Sequence, residues 1–96
     1  MSTKTGSIKV AVVGATGRMG KLALELIDAA QDMHLHAALD SKSQLSDALG
    51  ADVIFEVTRL EVSEKVADFA IANDIKLVIG TSGWSAAKLA ELRTKV

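Results

Sequence analysis

The chain has 96 residues, of which 49% are hydrophobic and 24% are charged, a size and composition typical of one globular domain. Its formal net charge of −1 gives no basic surface for nucleic acid or anionic lipid, and no apolar run is long enough to span a bilayer. The absence of cysteine excludes disulfides and thiolate chemistry, and with no signal-peptide pattern the expected compartment is the cytoplasm.

The first half of the chain predicts a strand, a helix and a second strand. The β-branched run from Ile8 to Val13 is typical of a strand buried on both faces, and residues 1–7 are expected to form a disordered tail. A helix with one face on the core should follow, because apolar residues recur with helical spacing. These are Met19, Leu22, Ala23, Leu26, Ile27 and Ala30. His34 to Leu39 predicts the second strand, and Gln44 to Leu49 a short helical turn.

The second half predicts two more strands, each followed by a helix. The strands are Val53 to Val57 and Lys76 to Ile79. Between them, Thr58 to Glu61 has the form of a capping box at a helix start, and Asn73 is expected to end that helix in the left-handed conformation. The buried stripe of this helix should comprise Val62, Val66, Phe69 and Ala70. In the last helix, Ser85 is the expected cap, and the inner face should comprise Ala86, Leu89, Leu92 and Val96.

A glycine motif, Gly14-Ala15-Thr16-Gly17-Arg18-Met19-Gly20, lies between the first strand and its helix. In this context Gly14 allows the tight turn, Gly17 lets the backbone approach a pyrophosphate, and Gly20 lets helix and strand pack closely. The amide groups and dipole at the helix start then stabilise the phosphates, and Arg18 adds a charge-assisted contact. The spacing has one residue more than G-x-G-x-x-G, and a purely structural turn is the alternative interpretation.

Asp40 ends the second strand about twenty residues beyond the motif, where an acidic side chain binds the ribose hydroxyls of NAD. The alternative is an aspartate that only starts the turn at Ser41 and Lys42. Lys42 leaves NADP as an alternative cofactor, because its ammonium group can pair with a 2′-phosphate. The choice between NAD and NADP is therefore undecided.

Three segments together resemble the dihydrodipicolinate reductases, also called 4-hydroxy-tetrahydrodipicolinate reductases. They are Val10 to Gly20, Val53 to Arg59, and Val78 to Trp84, and the likeness extends from about Ile8 to Leu92. This chain departs from the family pattern in having Glu56, Val57, Leu60, Ser82 and Trp84 where the family has Asp, Phe, Pro, Thr and Phe. Glu56 is the main departure, since a longer carboxylate would shift the nicotinamide edge; alternatively it is a helix-start anion or a solvated side chain.

The resemblance implies a Rossmann-type α/β fold, an open parallel sheet of about four strands in the order 2-1-3-4 flanked by helices. It also implies that the chain binds NAD or NADP through its strand-end loops. The implied cofactor residues are Gly14, Ala15, Thr16, Gly17, Arg18 and Met19 for the pyrophosphate, Asp40 for the adenosine ribose, and Thr58, Gly80, Thr81 and Ser82 for the nicotinamide end. The resemblance further implies a homo-oligomeric parent enzyme of lysine (diaminopimelate) biosynthesis, an oxidoreductase acting on CH–CH or CH–OH of a cyclic dicarboxylate.

The family's catalytic and substrate-binding region has no counterpart among these residues. We therefore expect one dinucleotide-binding domain over residues 8–96, no catalytic residue, and no activity from the chain alone. Two alternatives are a free-standing dinucleotide-binding module without catalysis and the cofactor domain of another two-domain NAD(P) oxidoreductase.

Two further expectations concern metal binding and assembly. His34 and His36 lie on one strand face, but no third ligand accompanies them, so we expect no metal site. The fourth strand, Lys76 to Ile79, should present an unpaired edge that promotes self-association or is covered by the last helix.

Overall fold

The computed structural model describes residues 8–95, and the tail expected at residues 1–7 lies outside the described part. Four parallel strands form one sheet in the order β2-β1-β3-β4, which confirms the expected α/β fold and strand order. In chain order the elements are β1 (Ile8–Val13), α1 (Arg18–Ala29), β2 (Met33–Leu39), a 3₁₀ turn (Leu45–Ala48), β3 (Val53–Glu56), α2 (Leu60–Ala72), β4 (Lys76–Ile79) and α3 (Ala86–Lys95).

β1 lies inside the sheet, and its two faces contribute to two separate apolar clusters. On one face Val13 packs with Ile54 and with Val66 of α2. On the other face Val12 packs with Ile27 of α1. Burial on both faces explains why the sequence from Val10 to Val13 is continuously apolar and does not alternate.

The predicted buried stripe of α1 is wrong at three of its six positions, whereas Ala23, Ile27 and Ala30 are buried or half-buried as expected. Met19, Leu22 and Leu26 are 54%, 48% and 59% exposed, whereas Gly20 and Ile27 are buried. Because Gly20 has no side chain, α1 approaches the turn after β1 closely, and the Gly20–Ile27 side of the helix faces the sheet. Apolar spacing alone did not distinguish this side from the neighbouring one.

The predicted stripe of α2 is confirmed, since its members belong to or pack against the cluster beneath the helix. They are Val62, Val66, Phe69 and Ala70. The left-handed residue after the helix is Asp74, with φ 54°, whereas Asn73 has φ −108°. The expected C-terminal conformation therefore occurs one residue later than predicted.

The capping box predicted at Thr58 to Glu61 is wrong. α2 begins at Leu60, and its N-cap residue, Arg59, makes no side-chain capping bond. The Thr58 hydroxyl donates to the carboxylate of Glu56 at 2.8 Å and caps nothing in α2. Because the N-cap position is Arg59, Thr58 lies one residue too early for its hydroxyl oxygen to accept from the first-turn amides as a capping residue would.

α3 is capped as predicted but packs differently. The Ser85 hydroxyl accepts a hydrogen bond from the Lys88 amide at 3.2 Å. The expected inner face is wrong for Ala86 and Leu89, which are exposed; Leu92 is half-buried, and Val96 lies outside the described residues. Two ion pairs join α3 to α2, Lys88–Glu64 at 2.6 Å and Lys95–Asp68 at 2.9 Å. None of the helices within residues 8–95 is long and apolar enough to cross a membrane.

Candidate functional site

The loops that follow the four parallel strands meet at one edge of the sheet, where open α/β sheets bind ligands. A cleft of about 230 Å³ lies there. Five of the predicted cofactor residues line it: Gly14, Thr16, Gly17, Asp40 and Thr58. The first three strands therefore bring part of the predicted site together.

Two glycines of the motif are required by the protein itself. Gly14 has φ +93°, and a Cβ there would overlap the carbonyl oxygen of Val57 and lie 3.2 Å from a methyl carbon of Thr58. A Cβ on Gly20 would overlap the carbonyl oxygen of Gly14 and lie 2.8 Å from the Cα of Ala15. The turn and the close approach of α1 therefore exclude any side chain at both positions.

The third glycine, Gly17, is different because its surroundings leave room for a side chain. Its backbone is extended, with φ −77° and ψ 172°, and the nearest atom to a Cβ placed there would be the Gly14 carbonyl oxygen at 3.5 Å. Gly17 is the N-cap of α1, where Ser, Asp or Asn is the usual choice, and it provides no side-chain cap. The space that a capping side chain would occupy is left open to the cleft.

The start of α1 provides amide donors at this cleft. The amides of Arg18, Met19 and Gly20 have no acceptor within the helix, because the first turn of any α-helix lacks one. Uncapped amides and the positive end of the helix dipole together form the usual geometry of an anion site. The chemistry available here is therefore that of a phosphate cradle.

The earlier amides of the motif are already used within the protein. The Gly14 and Ala15 amides both donate to the carbonyl oxygen of Leu39, at 2.9 and 3.0 Å, and the Gly17 amide donates to Gly14 at 3.1 Å. The side chain of Ala15 is buried in the core. Within the predicted pyrophosphate segment, Gly14 to Met19, the backbone amides that could still donate to a phosphate are therefore those at the start of α1.

Asp40 lines the cleft and also starts a turn, as the alternative interpretation held. Its Oδ1 accepts hydrogen bonds from the Lys42 amide at 2.8 Å and from the Ser43 hydroxyl at 3.2 Å. The bond from the Lys42 amide is the main cause that holds the pKa of Asp40 below its ordinary value, opposed by desolvation and aided by Ser43 and the Lys42 charge. Asp40 is therefore a fixed, exposed anion at the end of β2.

Glu56, at the end of β3, is completely buried, so the solvated interpretation of this residue is wrong. Its Oε2 accepts hydrogen bonds from the hydroxyls of Thr58 at 2.8 Å and Thr81 at 2.7 Å, and its Oε1 accepts one from Ser63 at 2.7 Å. The Thr58 amide donates in turn to the Thr81 hydroxyl at 2.7 Å. This carboxylate–hydroxyl network joins the loop after β3 to the loop after β4.

The structure brings Thr81 to Thr58, but it does not bring the other predicted residues of the β4 loop to the cleft. The Gly80 amide donates to the Glu56 carbonyl oxygen at 2.8 Å, and Ser82 is exposed. Trp84 is attached to the network, because its indole NH donates to the Ser63 hydroxyl at 2.8 Å. His36 bonds the carbonyl oxygen of Leu49 at 2.7 Å, and no metal-binding group of His, Cys, Asp or Glu occurs within residues 8–95.

Comparison with known families gives one model that matches nearly the whole chain. Residues 8–96 match the family model described as dihydrodipicolinate reductase, N-terminus. The chain belongs to the dihydrodipicolinate reductase family. The suspected family is thus confirmed, and assignment to a different two-domain oxidoreductase is not supported.

Curated relatives in this family carry the name 4-hydroxy-tetrahydrodipicolinate reductase. The protein of Clavibacter sepedonicus is 46% identical over 87 residues, which cover 91% of this chain and 31% of that protein. The protein of Cutibacterium acnes is 42% identical over 89 residues, covering 93% of this chain and 36% of the relative. The chain therefore spans about a third of the length of these relatives.

Solved structures share the fold at lower identity. A dihydrodipicolinate reductase from Paenisporosarcina sp. TG-14, solved with dipicolinate bound, has a TM-score of 0.78 and 23% identity, covering 93% of this chain and 43% of its own. CapF, solved with an inhibitor, has a TM-score of 0.71 and 19% identity, covering 92% of this chain and 28% of its own. Both likenesses concern the sheet and its flanking helices.

The Glu56 network is the part of the candidate site that was not predicted from the sequence. One signal pointed to it: Ser63 lies on the buried side of α2, with helical spacing to Val66, Ala67 and Ala70. A hydroxyl on a buried helix face needs a partner. The partner could not be named from the sequence, because it lies on a different element.

Proposed function

We propose that the chain binds a nicotinamide dinucleotide and is the cofactor domain of a 4-hydroxy-tetrahydrodipicolinate reductase. Family membership supports the reductase assignment. The observation that carries the binding proposal is the uncapped start of α1 at Gly17, which opens onto a cleft also lined by Asp40 and Thr58. The diphosphate would accept hydrogen bonds from the amides of the first helical turn.

In the proposed reaction of the whole enzyme, a reduced nicotinamide would supply the hydride that reduces a cyclic dicarboxylate. The described residues would bind and orient the dinucleotide at the strand ends. Since hydride transfer also needs a held substrate, the 96-residue chain tested alone should give no substrate-dependent oxidation of NADH. A steady-state absorbance assay checks this, and turnover by the chain alone would favour a complete enzyme. A free-standing binding module is the alternative.

The test of cofactor binding uses Gly17, because its replacement should affect the ligand and spare the fold. Gly17→Ala is compatible with the observed backbone and should change stability by less than about 1 kcal/mol. Its methyl group would lie where the diphosphate approaches, so we expect NADH affinity to fall about tenfold, equivalent to about 1.4 kcal/mol. Calorimetric titration measures the affinity and thermal unfolding the stability.

The matched control is Ala29→Val at the opposite, exposed end of α1, which should leave NADH affinity unchanged. Wild-type chain that binds no NADH at millimolar concentration would refute the proposed function. Unchanged affinity in Gly17→Ala would refute the role of the helix start.

We further propose that the site prefers NAD to NADP. Asp40 carries a carboxylate at the cleft, and the hydrogen bond from the Lys42 amide holds its pKa below the ordinary value, so it is ionised at neutral pH. A 2′-phosphate near this charge would be repelled, whereas ribose hydroxyls would donate to it. NADH should therefore bind more tightly than NADPH. Asp40→Asn should reduce this difference in affinity between the two cofactors. A ratio of affinities unaffected by Asp40→Asn would contradict the proposal.

We also propose that the 96-residue chain self-associates through β4. Within the described residues β4 pairs with β3 on one side only, and α3 leaves a groove of about 540 Å³ beside it, lined in part by Ile75, Leu77 and Ile79. An edge strand next to an apolar groove can pair with the same strand of a second copy of the chain. Sedimentation should show concentration-dependent dimers that Val78→Lys abolishes. A mass that stays monomeric at all concentrations would contradict this.

A further inference from the structure

The buried carboxylate of Glu56 is the centre of the network that holds two cofactor-site loops together. Thr58 lies in the loop after β3 and Thr81 in the loop after β4, and both hydroxyls donate to the same oxygen, Oε2. Glu56 itself has no exposed surface, so it cannot touch a bound ligand. Any effect it has on binding must pass through the loops.

The hydrogen bonds in this network have a defined direction. The Thr58 amide donates to the Thr81 hydroxyl, which donates to Glu56; from the other side the Trp84 indole donates to Ser63, which also donates to Glu56. Each hydroxyl has one proton; those of Thr81 and Ser63 are directed to the carboxylate, and the Thr58 hydroxyl lies 2.8 Å from the carboxylate and 3.2 Å from a second acceptor, the Arg59 carbonyl oxygen. A threonine so engaged presents a fixed oxygen and a fixed methyl group to its surroundings.

The length of the glutamate side chain matters to this arrangement. One oxygen reaches the threonine pair at the sheet edge, and the other reaches Ser63 at the start of α2. The carboxylate therefore ties both loops to a helix that is anchored in the core through Val66 and Ala70. Charge-assisted bonds of this kind are stronger and shorter than neutral ones.

We propose that Glu56 is a positioning residue that locks the Thr58 and Thr81 loops into the geometry that receives the nicotinamide end of the cofactor. The inference rests on the proposed function and deepens it. It predicts that the network governs affinity for the nicotinamide half and has no influence on affinity for the adenosine and diphosphate half, which the proposed function assigns to Asp40 and the start of α1.

The experiment compares NADH with ADP-ribose, which lacks the nicotinamide, by calorimetric titration of the 96-residue chain. Glu56→Met removes the acceptor with an unbranched side chain of similar length, and Thr81→Val removes one donor with little change of shape. Each should weaken NADH binding about tenfold, the loss expected for a charge-assisted hydrogen bond, and leave ADP-ribose affinity unchanged. Thr81→Ser, which keeps the hydroxyl, should restore NADH affinity.

A double variant separates positioning from direct contact. If Thr81 acts through Glu56, the Glu56→Met/Thr81→Val chain should bind NADH no more weakly than the worse single variant. The matched control is Thr94→Val, which removes an exposed hydroxyl of α3 outside the network and should leave both affinities unchanged.

Three results would overturn the proposal: equal weakening of NADH and ADP-ribose, additive effects in the double variant, or unchanged NADH affinity in Thr81→Val. If Glu56→Met does not fold, the contrast between Thr81→Val and Thr81→Ser decides alone. Wild-type chain that fails to bind ADP-ribose would instead refute the proposed function, and this inference with it.

Discussion

The turn after β1 and the loop pair after β3 and β4 lie at the same edge of the sheet but are held in different ways. The turn is fixed by the backbone, because side chains at Gly14 and Gly20 would overlap neighbouring carbonyl oxygens. The loop pair is fixed by side chains, through the buried carboxylate of Glu56 and the hydroxyls of Thr58 and Thr81. The first constraint involves backbone carbonyl oxygens, that of Val57 at Gly14 and that of Gly14 at Gly20, whereas the second needs specific side chains up to 25 residues apart.

The largest expected effect tests the backbone constraint. Gly14→Ala and Gly20→Ala should each destabilise the fold by at least about 2 kcal/mol, because the new methyl group displaces backbone that is itself packed. Since 1 kcal/mol lowers the melting temperature of a domain of this size by about 4–8 °C, thermal unfolding will resolve the loss.

Gly17→Ala is the control within the same motif, and its melting temperature should stay close to that of the wild type. Equal destabilisation by all three alanine variants would show that the turn has no position kept open for a ligand. The comparison then separates glycines that serve the fold from one that serves binding.

The same contrast explains what the sequence could predict. The strands, their order and the glycine turn were predictable, because each depends on residues near in sequence or on a family pattern covering residues 8–96. The capping box at Thr58 was wrong because α2 begins one residue later than the box requires, and the bond of the Thr58 hydroxyl to Glu56 depends on a burial that α2 and the β4 loop create.

Helix faces were predictable only where the packing partner was clear. In α2 the apolar stripe faces the core, and the charged residues Glu61, Lys65 and Asp68 lie on the exposed side of the helix. α1 has two adjacent apolar sides. The absence of a side chain at Gly20 determines which of them faces the sheet, through a tertiary contact that the spacing of apolar residues does not reveal. In α3, where ion pairs to Glu64 and Asp68 supply the attachment, apolar spacing was a poor guide.

The smallest expected effect tests whether Thr58 belongs to the network or to a capping box. In a capping box Thr58 and Glu61 support each other, so replacing either one would cost about 0.5–2 kcal/mol. In this structure Glu61 lies in the first turn of α2, where its charge favours the helix dipole, so Glu61→Ala should cost about 0.5 kcal/mol or less. Thr58→Val should cost more, and the free-energy losses of the two changes should add, because the Thr58 hydroxyl is bonded to Glu56 and the N-cap of α2 is Arg59 and not Thr58. Urea unfolding of the single and double variants measures the coupling. A coupling larger than about 0.5 kcal/mol would restore the capping box and remove Thr58 from the loop-locking network.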